Sequence, residues 1–271
     1  MFRFNQEGEI KMNKKIISVC NQKGGVGKST TAFNLGAALA EKHNRKVLLC
    51  DLDPQANLSE YLKYTEDNKP TITKLILEVA ANSCISPDTV NAAIRYNESL
   101  NLYYIPSDIN LANAETYMQT ALARETILRR ILSDEITEQF DYIIIDCLPS
   151  LGILLINAMT ASDGMIIPVQ TQKFSMDGLE ALSNLHRQIQ ATINSDLDIV
   201  GILPTMVDKT VVSRNALSVL TERYGDRLFS TSISKSIEAA KSSESGKALC
   251  NIKCKIGDEY IRLADEIVGG I

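Results

Sequence analysis

A glycine-rich segment at residues 23–30, Lys-Gly-Gly-Val-Gly-Lys-Ser-Thr, constrains the fold of this chain more than any other feature. An apolar run at residues 16–20 precedes it, and an alanine- and leucine-rich stretch with helical spacing follows it. Strand, glycine-rich loop and helix in this order are the context of a phosphate-binding loop. The glycines let main-chain N–H groups turn toward phosphate oxygens, and the helix N-terminus adds its positive dipole end. The segment therefore predicts a polyphosphate site.

The spacing of this loop departs from the common form G-x-x-x-x-G-K-[ST]. Gln22 stands where the first glycine is required, and an extra lysine, Lys23, follows it. The loop thus carries two lysines, Lys23 and Lys28, instead of one. The alternative, a glycine-rich turn with two solvated lysines, is disfavoured because strand, spacing and helix all agree with phosphate binding.

The composition limits the class of protein. The chain has 271 residues and is 45% hydrophobic, so it can bury the core of one large α/β domain. Its 28 Lys and Arg against 33 Asp and Glu give a net charge of -5, so any contact with DNA must come from a local basic patch. No signal-peptide pattern and no apolar stretch of about 18 residues is present, which predicts a soluble cytoplasmic protein.

The six cysteines form no C-x-x-C pair, and we expect them to be small core residues in a reducing compartment, with a metal or redox role as the alternative.

Short apolar runs alternate with helical patterns along the chain. Beyond the first run, the predicted strands are residues 47–50, 102–105, 142–146, 164–169 and 199–204. The predicted helices are residues 72–80, 87–95, 111–119, 124–138, 175–192, 213–224 and 256–268. Continuous apolar strands joined by helical crossovers indicate parallel strands that are buried on both faces. The sequence therefore predicts an α/β fold, a doubly wound and mostly parallel sheet flanked by helices.

Carboxylates follow two of these predicted strands. Asp51 and Asp53 end the run at 47–50, and Asp146 ends the run at 142–146. Ligands of open α/β sheets bind at the carboxyl ends of strands, and a strand-end Asp together with the loop Ser/Thr holds Mg²⁺ on bound phosphates. Ser29 and Asp146 fit those two roles. The alternatives are that Asp51 lies in a solvated turn that caps a helix near Ser59, and that Asp146 caps a helix.

Four segments together resemble the ParA/MinD family of ATPases, and its ParA/Soj partition branch over nearly the whole chain. They are residues 21–30, 51–55, 141–152 and 201–206. The resemblance implies a P-loop NTPase of the deviant Walker A type. Residues 1–13 are short and polar and are predicted to be an N-terminal extension, and residues 14–271 are predicted to form a single ATPase domain of this type.

The resemblance assigns roles to matching residues. ATP would be bound by Gly24, Gly25, Val26, Gly27, Lys28, Ser29 and Thr30, with Met206 near the adenine. Mg²⁺ would be held by Ser29, Asp51 and Asp146, the last through its water shell, while Asp53 would orient the attacking water. Lys28 would bind the β- and γ-phosphates, and Lys23 would reach across a dimer to the phosphates of the other subunit. Segment 147–152 is suited to sensing the terminal phosphate.

The family also implies partners. ATP closes a homodimer whose surface binds DNA without sequence preference, and a centromere-binding ParB-like protein stimulates hydrolysis. Two departures bear on this: Lys209 stands in a family motif that carries arginine, and Glu238 stands where the family has a DNA-contacting arginine. The remaining basic residues of the last third could form a salt-sensitive DNA patch or an ordinary solvated face. They are Lys209, Arg214, Lys235, Lys241, Lys247, Lys253 and Lys255, and the first four are the predicted DNA contacts.

Two other activities compete with partition. A regulator similar to MinD would attach to membranes through a basic amphipathic C-terminal helix, but the tail at 257–271 is acidic, so we expect it to dock on the body and we expect no membrane partner. A reductase similar to nitrogenase iron protein would need cluster cysteines, and Cys147 has no evident matching second cysteine.

Overall fold

A computed structural model describes residues 3–4, 10–11, 15–173 and 176–269. The strands are β1 (Arg3–Phe4), β2 (Ile10–Lys11), β3 (Lys15–Val19), β4 (Val47–Leu52), β5 (Arg95–Asn97), β6 (Leu102–Ile105), β7 (Tyr142–Cys147), β8 (Gly164–Gln170) and β9 (Asp198–Thr205). The α-helices are α1 (Lys28–His43), α2 (Asn57–Tyr61), α3 (Ile72–Asn82), α4 (Pro87–Ala93), α5 (Leu111–Met118), α6 (Ile127–Ile131), α7 (Asp134–Thr137), α8 (Ile153–Ala161), α9 (Met176–Thr192), α10 (Val211–Tyr224), α11 (Ile237–Ser245) and α12 (Lys255–Gly269).

Strands β3 to β9 form a seven-stranded sheet in the order β5-β6-β4-β7-β3-β8-β9. All neighbouring pairs are parallel except β5 and β6, which are antiparallel. Although β4 follows β3 in the chain, β7 lies between them in the sheet. The N-terminal β1 and β2 form an antiparallel pair, and the rest of the predicted extension at 1–13 lies outside the described residues.

The central strands are buried on both faces, as the apolar runs predict. Every residue of β4 and of β7 is buried. Because side chains alternate along a strand, Ile143 and Ile145 enter one core while Tyr142 and Ile144 enter the other. Helices α3, α6, α8 and α9 contribute to the first core, and α1 and α12 contribute to the second. The doubly wound α/β fold is confirmed.

The C-terminal helix α12 is docked on the body of the protein. Its apolar residues, which include Tyr260, Leu263 and Ile267, are buried in the core that α1 lines. The docking expected for residues 257–269 is therefore confirmed, and residues 270–271 lie outside the described residues. In the described part of the chain, no helix combines the length and the hydrophobicity that crossing a membrane requires.

The predicted helix at 124–138 is wrong, because the chain forms a 3-10 turn followed by the separate short helices α6 and α7. The break falls at Ser133, which is extended (φ −61°, ψ 165°) as the N-cap of α7, with Asp134 and Glu135 in the next turn. Acidic residues favour a helix N-terminus through the helix dipole, so this local signal competes with continuation of α6.

Three further elements differ from the sequence-based expectation. Arg95, expected in a helix, begins β5, where its guanidinium binds Asp67 at 2.6 Å. Helix α8 was not predicted, because it is apolar on almost every side and shows no amphipathic period. Helix α11 was not predicted either.

Candidate nucleotide site

The loop between β3 and α1 is open on the side where phosphates would bind. Gly25 (φ 73°) and Gly27 (φ 89°) adopt the left-handed conformation that favours glycine, and Gly27 is the N-cap of α1. Apart from the glycine itself and its chain neighbours, no atom lies within 4 Å of the position that a Cβ would occupy at Gly24, Gly25 or Gly27. The loop therefore leaves room for phosphate oxygens to approach its main chain next to the N-terminus of a long helix.

Neighbouring strands hold this loop in place. The Asn21 side-chain amide donates to the carbonyl of Pro168 at 2.7 Å, and the Lys23 main-chain N–H donates to Asn21 Oδ1 at 3.0 Å. On the other side, the Thr205 hydroxyl donates to the carbonyl of Val26 at 2.9 Å. The ends of β8 and β9 thus fix both halves of the loop. Sequence reasoning gave Thr205 no role, since it lies 179 positions from Val26 and no local pattern marks the contact.

The two lysines of the loop lie together. Lys28 is buried at the start of α1, and its ammonium donates to the carbonyl of Lys23 at 3.3 Å. Lys23 is half-buried on the rim of the loop. The Lys28 ammonium is therefore held at the glycine-rich loop, where a bound phosphate would be a stronger partner for it than a carbonyl.

Asp146 is a buried carboxylate at the centre of the sheet. It is paired in register with Val19 of β3 on one side and with Asp51 of β4 on the other. Neither of its oxygens accepts a hydrogen bond from the described residues. Burial raises the pKa of Asp146 well above its usual range and Asp51 raises it further, while Ser29 and Lys28 act in the opposite direction. As a strand residue it caps no helix, so that alternative is wrong.

Asp51 differs from Asp146 in having partners for both oxygens. Its Oδ1 accepts the Asp53 N–H at 3.1 Å, and its Oδ2 accepts the Ser59 N–H at 2.9 Å and the Ser59 hydroxyl at 2.7 Å. Burial raises the pKa of Asp51 to about 6, and the bonds from Ser59 and Asp53 oppose this shift. The alternative, that Asp51 lies in a solvated turn and caps a helix, is wrong about the turn, because Asp51 is buried within β4. It is right about the contact with a helix. Asp51 does bind the first turn of a helix, α2.

Asp53 lies in the tight turn between β4 and α2. It is buried, its Oδ1 accepts the Gln55 N–H at 2.9 Å, and its carbonyl accepts the Ala56 N–H at 2.9 Å. The structure therefore brings Asp51, Asp53 and Asp146 to the carboxyl edge of the sheet beside the glycine-rich loop. Segment 147–152 leaves the same edge, with Leu151 39% exposed.

The donor set at this edge fits magnesium. Asp146 supplies unpaired carboxylate oxygens, and Ser29 supplies a hydroxyl that is close enough to lower the pKa of that carboxyl. Among the described residues, no cluster of three or more His, Cys, Asp and Glu could hold a metal ion. Mg²⁺ prefers few protein ligands together with phosphate oxygens and water, so this sparse set suits Mg²⁺ bound with a nucleotide.

Met206 follows Thr205, the last residue of β9, and adopts a left-handed backbone conformation (φ 50°). It follows the residue that holds the Val26 carbonyl, so it lies near the same side of the loop. This position is compatible with the predicted adenine contact.

Three of the predicted DNA residues lie near the carboxyl end of β9. The Arg214 guanidinium donates to the carbonyl of Lys209 at 3.1 Å, and the Lys235 N–H donates to the carbonyl of Val207 at 2.9 Å.

The fourth predicted DNA residue, Lys241, lies on α11 and is ion-paired with Glu238 at 2.8 Å. Glu238 therefore partly neutralises the charge of this lysine.

The cysteines are all free thiols. Cys20, Cys50, Cys147 and Cys250 are buried as predicted, and burial raises the pKa of Cys20 to about 12. Cys84 is exposed, so the expectation of a core position is wrong for this residue.

Comparison with known proteins agrees with this geometry. An AAA domain family model matches residues 14–199. The chain is 37% identical over 256 residues to the sporulation initiation inhibitor protein Soj of Bacillus subtilis, covering 93% of this chain and 98% of Soj. It is 34% identical over 262 residues to the chromosome partitioning protein ParA of Caulobacter vibrioides, covering 94% of each.

A solved structure shares the fold and carries ligands. It is cobyrinic acid a,c-diamide synthase from Mycobacterium smegmatis with bound ATP analog and magnesium, which superposes with a TM-score of 0.77 at 31% identity over 94% of each chain. Both Soj and ParA are matched over nearly their whole length. On these grounds, the chain belongs to the ParA/Soj family of P-loop ATPases.

Proposed function

We propose that this protein is an ATP-hydrolysing switch that acts in the segregation of DNA. The observation that carries the proposal is the buried, unpaired Asp146 carboxylate beside Ser29 and the glycine-rich loop. A carboxyl in this state lacks a partner that ATP with Mg²⁺ would supply. The segregation role is supported by the relatives named Soj and chromosome partitioning protein ParA.

Within residues 14–271, taken as one ATPase domain, each site residue has a role. Main-chain N–H groups of the loop and the Lys28 ammonium bind and neutralise the phosphates. Ser29 and Asp146 would hold the magnesium ion, with Asp51 at the edge of that site, and Asp53 would orient the attacking water. Bound Mg²⁺ supplies charge neutralisation of the β- and γ-phosphates. Because phosphoryl transfer needs little covalent chemistry from the protein, positioning and electrostatics account for the catalysis, which is slow without a partner.

The switch works as a homodimer. Lys23 is half-buried in the loop. In the dimer its ammonium binds the phosphates of the second subunit. The ATP dimer binds DNA without sequence preference through Lys209, Arg214 and Lys235, and a ParB-like centromere-binding protein stimulates hydrolysis. The protein is cytoplasmic, and it is associated with the nucleoid while it binds DNA.

Two measurements test this function. Phosphate release from ATP should require Mg²⁺ and should be lost in Lys28→Ala. Duplex DNA binding should appear with ATP and not with ADP or without nucleotide, and it should weaken as salt rises. No hydrolysis by the wild type, even with DNA present, would refute the ATPase. DNA affinity that does not change with nucleotide or salt would refute the DNA-binding output.

A further inference from the structure

Ser59 is the centre of a buried hydrogen-bond chain that no motif explains. It lies in α2 and is only 2% exposed. Its hydroxyl accepts the Ser107 N–H at 2.9 Å and donates to Asp51 Oδ2 at 2.7 Å, while its own N–H donates to that same oxygen at 2.9 Å. The hydroxyl oxygen accepts the hydrogen bond from the Ser107 N–H, so the single hydroxyl proton of Ser59 is donated to Asp51.

The chain of hydrogen bonds continues from Asp51 to the turn that carries Asp53. The second Asp51 oxygen accepts the Asp53 N–H at 3.1 Å, and Asp53 in turn accepts the Gln55 N–H at 2.9 Å. The orientation of the Asp51 carboxylate therefore sets where the Asp53 main chain lies. Ser59 fixes that orientation with two of the three bonds that Asp51 accepts.

Ser59 also separates the functions of two adjacent carboxyls. Asp51 and Asp146 are neighbours in register, so an Asp51 side chain without its own partners would compete for the same cation or turn toward the same donors. With Ser59 present, Asp51 is satisfied within the protein and Asp146 is left unpaired.

We propose that Ser59 is a positioning residue for ATP hydrolysis, which acts by holding Asp51 so that Asp51 holds the Asp53 turn. The inference rests on the proposed ATPase function. Ser59 touches neither nucleotide nor water in this role. Its loss should affect the hydrolysis step, where a small displacement of the Asp53 carboxylate matters, more than nucleotide binding, which depends on the glycine-rich loop.

The test compares Ser59→Ala with Ser59→Thr, which keeps the hydroxyl. The matched control is Ser242→Ala, because Ser242 is also a buried serine, and its hydroxyl donates to the Lys247 carbonyl at 2.7 Å in α11, outside this chain of bonds. Measured quantities are kcat, KM for ATP, the Kd of a fluorescent ADP analogue and the Tm, without DNA. Removing a supporting hydrogen bond of this kind should lower kcat roughly 10- to 100-fold in Ser59→Ala.

The nucleotide Kd of Ser59→Ala should stay close to that of the wild type, Ser59→Thr should recover kcat, and Ser242→Ala should change Tm alone. A wild-type kcat in Ser59→Ala would overturn the inference, as would an equal loss of kcat in Ser242→Ala at equal Tm. Should Ser59→Thr fold poorly, the comparison of Ser59→Ala with Ser242→Ala still decides. Failure of the proposed function is distinct, because the wild type itself would then hydrolyse no ATP.

Discussion

Asp51 and Asp146 are register partners on adjacent parallel strands, and both carboxyls are buried at the edge of the sheet beside the glycine-rich loop. Their surroundings differ: Asp51 accepts three hydrogen bonds, whereas Asp146 accepts none from the described residues. Burial raises the pKa of each, and that of Asp51 stops at about 6 because its donors favour the charged form. The Asp51 carboxyl is therefore hydrogen-bonded within the protein, whereas the Asp146 carboxyl is available to a ligand.

We expect Asp146→Asn to stabilise the nucleotide-free protein increasingly as the pH rises. The pKa of Asp146 is raised in the folded state, so the folded chain keeps a proton that the unfolded chain releases near pH 3.8. Its stabilising contribution is thus full below that pH and is lost as the pH rises through the raised pKa. Asparagine does not ionise, so the variant does not lose stability in this way as the pH rises.

The measurement for this variant is Tm from pH 5 to 8 in EDTA without nucleotide, and the variant's advantage over the wild type should grow with pH. A constant or shrinking difference would contradict the assignment. The same variant should need roughly 10- to 100-fold more Mg²⁺ for hydrolysis, which a magnesium titration of phosphate release would measure.

Asp53→Ala should bind ATP and form dimers like the wild type but lose turnover. The loop that binds phosphates is left intact, whereas the carboxylate that orients water is gone. Loss of a group that positions or activates the nucleophile costs about 100-fold or more in kcat. Single-turnover hydrolysis with a parallel binding isotherm would check this, and normal turnover would remove Asp53 from the mechanism.

Lys23→Ala should retain most of the affinity for ATP yet fail to form the ATP dimer. Each charged hydrogen bond across the interface contributes about 1.5–3 kcal/mol, and a symmetric dimer contains two. Dimerisation should therefore weaken roughly 100-fold or more. Analytical ultracentrifugation with ATP measures the dimer, and a Lys28→Ala sample controls for loss of nucleotide binding. An ATP dimer of wild-type stability would exclude a contact across the interface.

Thr205→Val should weaken nucleotide binding through the backbone of the loop. The substitution keeps the side-chain shape but removes the bond to the Val26 carbonyl. A lost hydrogen bond of this type is worth about 1 kcal/mol, so ATP affinity should fall roughly fivefold. Thr205→Ser keeps the hydroxyl and should bind nearly as well as the wild type. Isothermal titration with an ATP analogue compares the two variants, and equal affinities would show that the bond does not hold the loop.

Glu238→Gln should raise DNA affinity if α11 faces DNA, since it frees the Lys241 ammonium from its ion pair. One additional phosphate contact should steepen the slope of log affinity against log salt by about 1. Lys241→Ala in the wild-type background should change little, because the lysine is already paired. The readout is fluorescence anisotropy with ATP over a salt series, and an unchanged slope in Glu238→Gln would place α11 outside the DNA contact.

Several parts of the candidate site could be predicted from sequence because their signals are local. The glycine-rich loop is recognised from consecutive residues between a strand and a helix, and each strand-end aspartate is recognised from the apolar run before it. Local patterns were less reliable where two signals competed. The apolar positions of residues 127–136 are buried as expected, yet Ser133 ends one helix and starts the next. The roles assigned to individual site residues stay predictions.

The sequence by itself determined the fold class, the family and the segments that carry the chemistry, because alternation of apolar runs and the deviant loop are properties of neighbouring residues. Only the tertiary structure placed β7 between β3 and β4, and this strand order sets Asp146 beside Asp51. It also connected Thr205 to Val26, and Ser59 to Asp51 and Ser107. The physical reason is that strand order and side-chain hydrogen bonds depend on contacts between residues far apart in the chain, which no local pattern records.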